Sequence, residues 1–238
     1  MTPLALARTL ARLDAFPVAA VVRLDRSEPL AGRAVVLPSS FNPPTAAHFA
    51  LLERAAATVG ADTVVALLGT RNADKPLAGA PLHHRAGMLL AVARENAHLA
   101  VVATNAALLA DQSAALQRAY PEASFDFVVG HDTLVRLFEP RYYEEGEMEA
   151  ALERFFRSHR LLAAERGPGG REAIEQVLAG PARHWREHIL TLELPAWTAA
   201  VSSTEIRFRA ASGLRPRAAP AEVVRYIARH RLYRGGFR

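Results

Sequence analysis

The chain has 238 residues, of which half are apolar and 22% are charged, and it contains no cysteine. This length suits one sizeable domain with a full hydrophobic core, while the lack of cysteine excludes disulfides and thiolate metal sites and predicts a cytoplasmic location. The formal net charge is +5, but the basic residues are spread along the chain, and no apolar run approaches the ~18–20 residues that span a bilayer. We therefore expect neither a nucleic acid nor a membrane as a partner.

Apolar strands and helices alternate along most of the chain. Residues 1–30 predict a helix and a short connecting segment. Beyond them, strands are predicted at 33–38, 62–69, 99–104, 124–130, 160–166 and 188–195. Helices are predicted between and after these strands, at about 45–59, 82–96, 110–120, 147–159, 171–179 and 219–233.

Continuous apolar strands that are separated by helices are typical of a parallel sheet covered on both faces. The predicted fold class is α/β: a doubly wound, mostly parallel, Rossmann-like sheet with helices on both faces. We divide the chain into an N-terminal helical extension, residues 1–30, and one Rossmann-like domain, residues 31–238. Because ligands of such sheets bind beyond the carboxyl ends of the strands, the segments that follow strands are the first candidates for a site.

The segment "SSFNPPTAAH", residues 39–48, follows the first predicted strand of this domain. Its two prolines suit the first turn of a helix, whose N-terminus offers unpaired backbone N–H groups and a partial positive charge. Thr45 and His48 lie three residues apart and share one face of that helix, so they predict an anion pocket. The alternative is that Thr45 only caps the helix and His48 packs on the surface.

A second polar segment, "VSSTEIRFR" at 201–209, follows the last predicted strand. Ser202 and Glu205 fit a capping box, and an ordinary helix start is therefore the alternative interpretation. Arg207 and Arg209, however, lie early in the helix, where the helix dipole disfavours cations by ~0.3–1 kcal/mol each. A bound polyphosphate reverses that preference, so this turn is a candidate triphosphate site.

Five segments in a fixed order resemble the nucleotidyltransferase superfamily. "SFNPPTAAH" resembles its (H/T)xGH signature, and "VSSTEIR" resembles its ISSTxIR motif. Residues 72–97, residues 127–143 and the terminal "VVRYIARHRLY" resemble segments of nicotinamide and nicotinate mononucleotide adenylyltransferases, with 127–143 closest to the divergent fungal-type branch. The sequence departs from the signature at Ala47, which replaces a glycine, and at Ser39–Ser40, where glycines usually precede the phenylalanine.

The resemblance implies a reaction and its substrates. ATP and nicotinamide or nicotinate mononucleotide would give NAD or its deamido form, with release of pyrophosphate. The phosphate of the mononucleotide would attack the α-phosphorus of ATP in line, and catalysis would consist of positioning and electrostatic stabilisation. Mg²⁺ would enter with ATP and bridge phosphates, and no separate protein metal site is implied.

By the same resemblance, four residues are candidates for catalysis: His48, Thr45, Lys75 and Arg207. The candidates for substrate binding are Ser39, Ser40, Phe41, Asn42, Asn72, Arg85, Gly130, Asp132, Trp197, Ser202, Ser203 and Thr204. Besides the caps already described, four of these assignments have a plain structural alternative, and Arg85 could serve only to orient its helix. Lys75 could be a surface lysine, Asp132 a helix cap and Trp197 a core or rim aromatic.

Two further interpretations were weighed. "HWREH", residues 184–188, matches the H-x-x-E-H pattern of a metalloprotease, but a strand-like run begins at its second histidine and leaves little room for a zinc-binding helix. A divergent member of the superfamily that binds ATP, or hydrolyses it slowly, in a regulatory role is the second hypothesis, and Ala47 and Ser39–Ser40 favour it. The sequence leaves open the choice between nicotinamide and nicotinate, and it leaves open a homo-oligomer.

Overall fold

A computed structural model describes residues 1–71, 79–165 and 167–234. Within these residues one seven-stranded sheet has the order β1-β4-β3-β2-β5-β6-β7. β1 pairs antiparallel with β4, and every other neighbouring pair is parallel. The strands are β1 (Val21–Arg23), β2 (Gly32–Ser39), β3 (Thr63–Gly69), β4 (Leu99–Thr104), β5 (Ala123–Gly130), β6 (Leu161–Glu165) and β7 (Ile189–Glu193). The predicted mostly parallel α/β sheet is confirmed.

Helices cover both faces of this sheet. They are α1 (Pro3–Asp14), α2 (Ala46–Val59), α3 (Leu82–Ala93), α4 (Leu109–Ala119), α5 (His131–Leu137), α6 (Met148–Ser158), α7 (Gly170–Ala179), α8 (Ser203–Ala211) and α9 (Ala221–His230). Short 3-10 helices occupy Pro140–Tyr142, Arg183–His188 and Ala196–Ala200.

The two faces of the sheet bury two separate hydrophobic clusters. Val35 and Leu37 of β2 pack into the cluster that includes side chains of α1, α2, α3 and α9. Ala34 and Val36 pack into the other cluster, with side chains of α4, α5, α6 and α7. Successive residues of a strand point to opposite faces, so burial on both faces requires the uninterrupted apolar runs that the sequence shows.

The N-terminal residues pack against this sheet. Helix α1 buries Leu6, Leu10 and Leu13 in the first cluster, and β1 extends the sheet beyond β4. The buried side chain of Asn105 holds the segment between α1 and β1 in place. Its Oδ1 accepts from the N–H of Ala20 at 2.7 Å, and its Nδ2 donates to the carbonyls of Phe16 and Val18. The helix was predicted but β1 was not, because three residues are too few to show a pattern. The domain boundary at residue 30 stays a prediction.

The strand order reverses between β2 and β5. From β2 the chain proceeds to β3 and β4 on one side, while β5, β6 and β7 lie on the other side. The loops after β2 and β5 therefore leave the sheet in opposite directions, and a crevice opens between them at the carboxyl edge. This switch point is where a ligand site is expected in a doubly wound sheet.

Two other expectations bear on function. The "HWREH" segment forms a 3-10 helix that ends at His188, and the described residues contain no group of three or more His, Cys, Asp or Glu side chains that could hold a metal ion. Among the described helices, none has both the length and the apolar character required to cross a bilayer.

Candidate active site

The loop after β2 brings the first polar segment to the crevice. Ser39 ends β2, and Phe41 is fully buried with its ring centroid 5.1 Å from that of His48. Phe41 has a positive φ of 43°, a conformation that non-glycine residues rarely adopt, so packing holds this turn in an unusual shape. The turn delivers the N-terminus of α2 to the carboxyl edge of the sheet.

Thr45 and His48 form a reciprocal cap at the start of α2. The Thr45 hydroxyl accepts from the backbone N–H of His48 at 3.3 Å, and the Thr45 backbone N–H donates to Nδ1 of His48 at 2.9 Å. Because Nδ1 is an acceptor here, the neutral imidazole carries its proton on Nε2. Nε2 lies 3.4 Å from the hydroxyl oxygen of Ser39. Capping and ligand binding are therefore compatible, since the cap fixes the tautomer that presents an N–H donor.

The second polar segment meets the first one. Ser202 caps α8 by accepting from the N–H of Glu205 at 3.2 Å, which is the Ser202 half of the predicted capping box. Ser203 donates its hydroxyl to the carbonyl of Pro43 at 3.0 Å. Arg207 donates to the carbonyl of Asn42 at 2.7 Å and to the hydroxyl of Thr204 at 3.0 Å. The two turns are far apart in sequence, and these contacts join them into one site.

A cavity of about 640 Å³ lies between these two turns. Its volume falls within the ~300–1,000 Å³ of typical small-molecule sites. The ends of β2, β5, β6 and β7 and the N-termini of α2, α5 and α8 surround it. Among its lining residues are Ser39, Thr45, Ala47, His48, Gly130, Asp132, Ser202, Ser203 and Thr204. Eight of the fourteen candidates that the structure describes thus line one cavity.

A second cavity, of about 250 Å³, lies on the other side of the end of β2. The ends of β2 and β3, the first turn of α4 and one side of α5 form most of its walls. Its lining includes Ser40, Arg71, Leu108, Gln112, Thr133, Arg136 and Tyr143. Pro38 and Ser39 line both cavities, so the end of β2 is a wall that the two cavities share.

Arg85 lies inside the protein rather than on the wall of a cavity. Its side chain is 2% exposed and donates to the carbonyl of Ala80 at 2.7 Å and to that of Ser40 at 3.3 Å. Burial lowers the pKa of Arg85, and the nearby charge of Arg207 acts in the same direction. These contacts give Arg85 a role in holding the loop backbone, and its predicted contact with a phosphate stays a prediction.

The remaining candidates are placed differently. Gly130 and Asp132 lie at the junction of β5 and α5, where the Asp132 carboxylate is almost fully exposed beside the cavity. Trp197 is half exposed in a 3-10 helix, while its neighbour Thr198 lines the cavity. Asn72 and Lys75 lie outside the described residues, and their assignment stays a prediction.

Asn42, Gly79 and Tyr233 make contacts at the site that the sequence did not predict. Asn42 was a candidate ligand residue, but its side-chain oxygen accepts from the backbone N–H of Ala80 at 3.2 Å and from the hydroxyl of Tyr233 at 3.0 Å. Gly79 packs so closely that an added methyl group would come within 2.3 Å of the Asn42 side chain. The terminal "LY" of the last motif was the only signal for Tyr233, and it carried no information about its partner.

A cleft at the switch point, lined by the N-termini of three helices, is characteristic of nucleotide-binding α/β proteins. Residues 36–209 match the model of the cytidylyltransferase-like family, and the chain belongs to this family. The resemblance to nucleotidyltransferases that the sequence motifs indicated is confirmed.

Two curated relatives cover most of the chain. A Schizosaccharomyces pombe protein, named provisionally as a nicotinamide mononucleotide adenylyltransferase, is 30% identical over 206 residues, which are 81% of this chain and 82% of the relative. A Ruegeria pomeroyi protein, named provisionally as a nicotinate-nucleotide adenylyltransferase, is 29% identical over 73% of this chain and 84% of the relative.

Solved structures share the fold at lower identity. A Plasmodium falciparum nicotinic acid mononucleotide adenylyltransferase, solved in complex with NaAD, superposes with a TM-score of 0.59 at 17% identity. The match covers 85% of this chain and 97% of that chain. A second structure of the Plasmodium enzyme, complexed with APC, gives a TM-score of 0.57. At this identity, the likeness is evidence for the fold alone.

Proposed function

We propose that this protein is an adenylyltransferase that joins ATP to nicotinamide or nicotinate mononucleotide, giving NAD or its deamido form and pyrophosphate. The observation that carries the proposal is the pair of cavities with a shared wall at Pro38 and Ser39. A transfer between two nucleotides needs two adjoining pockets whose phosphate ends meet. The names of the curated relatives support this choice of substrates.

The larger cavity binds ATP in this proposal, and the smaller one binds the pyridine mononucleotide. The smaller cavity, at about 250 Å³, lies just below the volume range of typical small-molecule sites, and its mixture of apolar and polar walls suits a flat pyridine ring and its ribose phosphate. Both phosphate groups then meet beside Ser39, where Nε2 of His48 presents its N–H. A pyridine mononucleotide and ATP are the substrates, and Mg²⁺ would enter with ATP as part of the substrate and neutralise part of its phosphate charge.

The chemical step is a displacement at the α-phosphorus of ATP. A phosphate oxygen of the mononucleotide forms a new P–O bond as the bond between the α-phosphorus and the bridging oxygen of the β-phosphate breaks. Negative charge shifts onto the departing pyrophosphate, and no covalent enzyme intermediate is needed. The Nε2–H of His48 stabilises this charge, together with the positive end of the α2 dipole, and Thr45 contributes by holding the imidazole, since its hydroxyl lies 2.8 Å from Nδ1.

The start of α8 binds the β- and γ-phosphates. Ser202, Ser203 and Thr204 line the larger cavity, and the charge of Arg207 lies directly behind Thr204. A triphosphate at this place offsets the unfavourable position of a cation early in α8. Lys75 supplies a further positive charge to a substrate phosphate, and Asp132 and Gly130 face the adenosine end of ATP.

Ala47 does not remove the pocket. Its methyl group stands on the wall of the larger cavity, where the family signature has glycine, and the cavity still measures about 640 Å³. The α2 N-terminus retains its cap and its orientation toward the cavity. Both hypotheses need this pocket, and the adjoining smaller cavity, which a protein that only binds ATP or hydrolyses it slowly does not need, favours transfer activity.

The test is a direct assay of product. Purified full-length protein is incubated with Mg–ATP and either pyridine mononucleotide, and the dinucleotide and pyrophosphate are measured by chromatography and a coupled assay. Formation of one dinucleotide with equimolar pyrophosphate is expected, and the ratio of the two kcat/KM values identifies the preferred pyridine. ATP binding without any dinucleotide would reject the transferase proposal and support the second hypothesis.

A further inference from the structure

The C-terminal segment reaches back to the loop that holds His48. Helix α9 ends at His230, and Arg231 adopts a left-handed conformation with φ 51°, which reverses the chain. The N–H of Leu232 bonds the carbonyl of Ile227 at 3.1 Å, and the Leu232 side chain is buried in the first hydrophobic cluster. This anchored reversal directs Tyr233 toward the site.

The hydroxyl of Tyr233 donates to the side-chain oxygen of Asn42 at 3.0 Å. The orientation of the Asn42 amide is fixed, because the N–H of Ala80 also points at this atom and can only donate. The backbone carbonyl of Asn42 accepts from Arg207 at 2.7 Å. Asn42 is therefore the junction of three segments: the C-terminus, the start of α8 and the residues that lead into α3.

Arg85 holds the same junction from the interior. It donates to the carbonyl of Ser40, two residues before Asn42, and to the carbonyl of Ala80, whose N–H bonds the Asn42 side chain. Tyr233 lies close to the charges of Arg85 and Arg207, and burial still raises the pKa of its hydroxyl. The Tyr233 hydroxyl therefore stays protonated at neutral pH and remains a hydrogen-bond donor.

Resting on the proposed function, we infer that Tyr233 is a positioning residue for adenylyl transfer, which acts through Asn42 on the phosphate-binding loop and on Arg207. Tyr233 is not among the described residues that line either of the two cavities, so we place it behind the site. By fixing Asn42, it fixes the carbonyl to which Arg207 is attached and the turn that leads into the cap of α2. Loss of this one hydrogen bond leaves the fold intact but loosens the alignment of the phosphate groups.

The experiment is a double-mutant cycle with Tyr233→Phe and Asn42→Ala in the full-length chain. Phenylalanine keeps the ring and removes only the donor, so kcat/KM for ATP is expected to fall about fivefold, the typical effect of one hydrogen bond. In the Asn42→Ala background, the same substitution is expected to have no further effect, because the acceptor is already gone. Tyr120→Phe, at a buried tyrosine packed in the other cluster, is the matched control and should leave kcat/KM unchanged.

The outcomes separate this inference from the proposed function. An active wild-type protein whose Tyr233→Phe variant keeps full kcat/KM overturns the positioning role. A loss that persists undiminished in the Asn42→Ala background overturns it as well, because Tyr233 then acts by another route. If the wild type forms no dinucleotide, the proposed function fails, and the cycle is measured on the dissociation constant of ATP, where zero coupling overturns the inference.

Discussion

In the part of the chain that the structure describes, Asp126 at the amino end of the sheet and Arg85 at the carboxyl end are both buried, and the two charges have different partners. At the amino end, Asp126 of β5 is 4% exposed and its carboxylate bonds two guanidinium groups, Arg33 at 2.9 Å and Arg160 at 3.0 Å. At the carboxyl end, the buried Arg85 donates to the backbone carbonyls of two loops. At the amino end, side chains of opposite charge pair with one another. At the carboxyl end, the Arg85 guanidinium instead holds the backbone of the loops that form the site.

This difference separates stability from activity. Hydrogen bonds from both arginines lower the pKa of Asp126 despite its burial, so the carboxylate is stabilised in its charged form. Nothing in that arrangement faces the cavities. Substitutions at the amino end should therefore change the free energy of unfolding, and substitutions at the carboxyl end should change turnover.

The largest expected effect is that of His48→Ala at the carboxyl end. Removing a donor that stabilises charge in a transition state typically costs about 10²–10³-fold in turnover. The substitution also removes half of the α2 cap, which costs about 1 kcal/mol of stability. Turnover of dinucleotide formation, measured well below the unfolding temperature, is therefore expected to fall by about two to three orders of magnitude.

The control for the lost cap is Thr2→Ala. Thr2 caps α1 by accepting from the N–H of Ala5 at 3.2 Å, and it lies away from both cavities. This variant should lose a comparable amount of stability and keep its turnover. A His48→Ala variant that is as active as Thr2→Ala would remove His48 from the site.

A smaller effect is expected for Asp126→Asn at the amino end, where stability should fall and activity should stay unchanged. A neutral amide cannot accept from both arginines as the carboxylate does, so the free energy of unfolding should fall by about 2 kcal/mol. Urea denaturation measures this loss, while kcat/KM at 25 °C should stay at the wild-type value. Glu175→Gln is the matched control, since the exposed pair of Glu175 and Arg186 should contribute less than about 1 kcal/mol. A drop in kcat/KM for Asp126→Asn would contradict the division of roles.

The sequence predicted the sheet well because burial on both faces leaves its mark on local composition. The run 99–104, for example, is buried at every position and coincides with β4. The capping residues Thr45 and Ser202 were also predictable, because a cap depends on residues three positions apart. Local patterns were sufficient for both.

The network around Asn42 could not be predicted in the same way. It joins Asn42 to Ala80, Arg207 and Tyr233, and no pattern along the chain relates these positions before the chain is folded. Arg85 illustrates the difficulty. A charged residue near a phosphate motif suggests a ligand contact, and only the packing of α3 reveals that its partners are backbone carbonyls. The smaller cavity is built from five separate stretches of the chain, so only Ser39 and Ser40 of its lining were predicted from the sequence.

The smallest expected effect is a dependence of stability on pH that also originates at the amino end. His159 is buried among three phenylalanines, and its Nδ1–H donates to the carbonyl of Phe125 at 3.1 Å. Burial lowers the pKa of His159, although the bond to Phe125 and the charge of Asp126 oppose this. A lowered folded pKa means that the unfolded chain binds the proton more readily. The stabilising contribution of neutral His159 is therefore complete above the unfolded pKa of about 6.5 and is lost as the pH falls below it.

Thermal unfolding at pH 7.5 and pH 5.5 tests this sign. We expect the wild-type Tm to be lower at pH 5.5, and His159→Gln to reduce that difference by about 2 °C. A part of the difference should remain, because burial and the neighbouring His83 and His230 also lower the pKa of His84. Asp126 does not contribute between these two pH values, since its lowered pKa confines its effect to pH below about 4. His98→Gln, at an exposed histidine, is the control. An equal change in both variants would show that the pH dependence of Tm does not originate at His159.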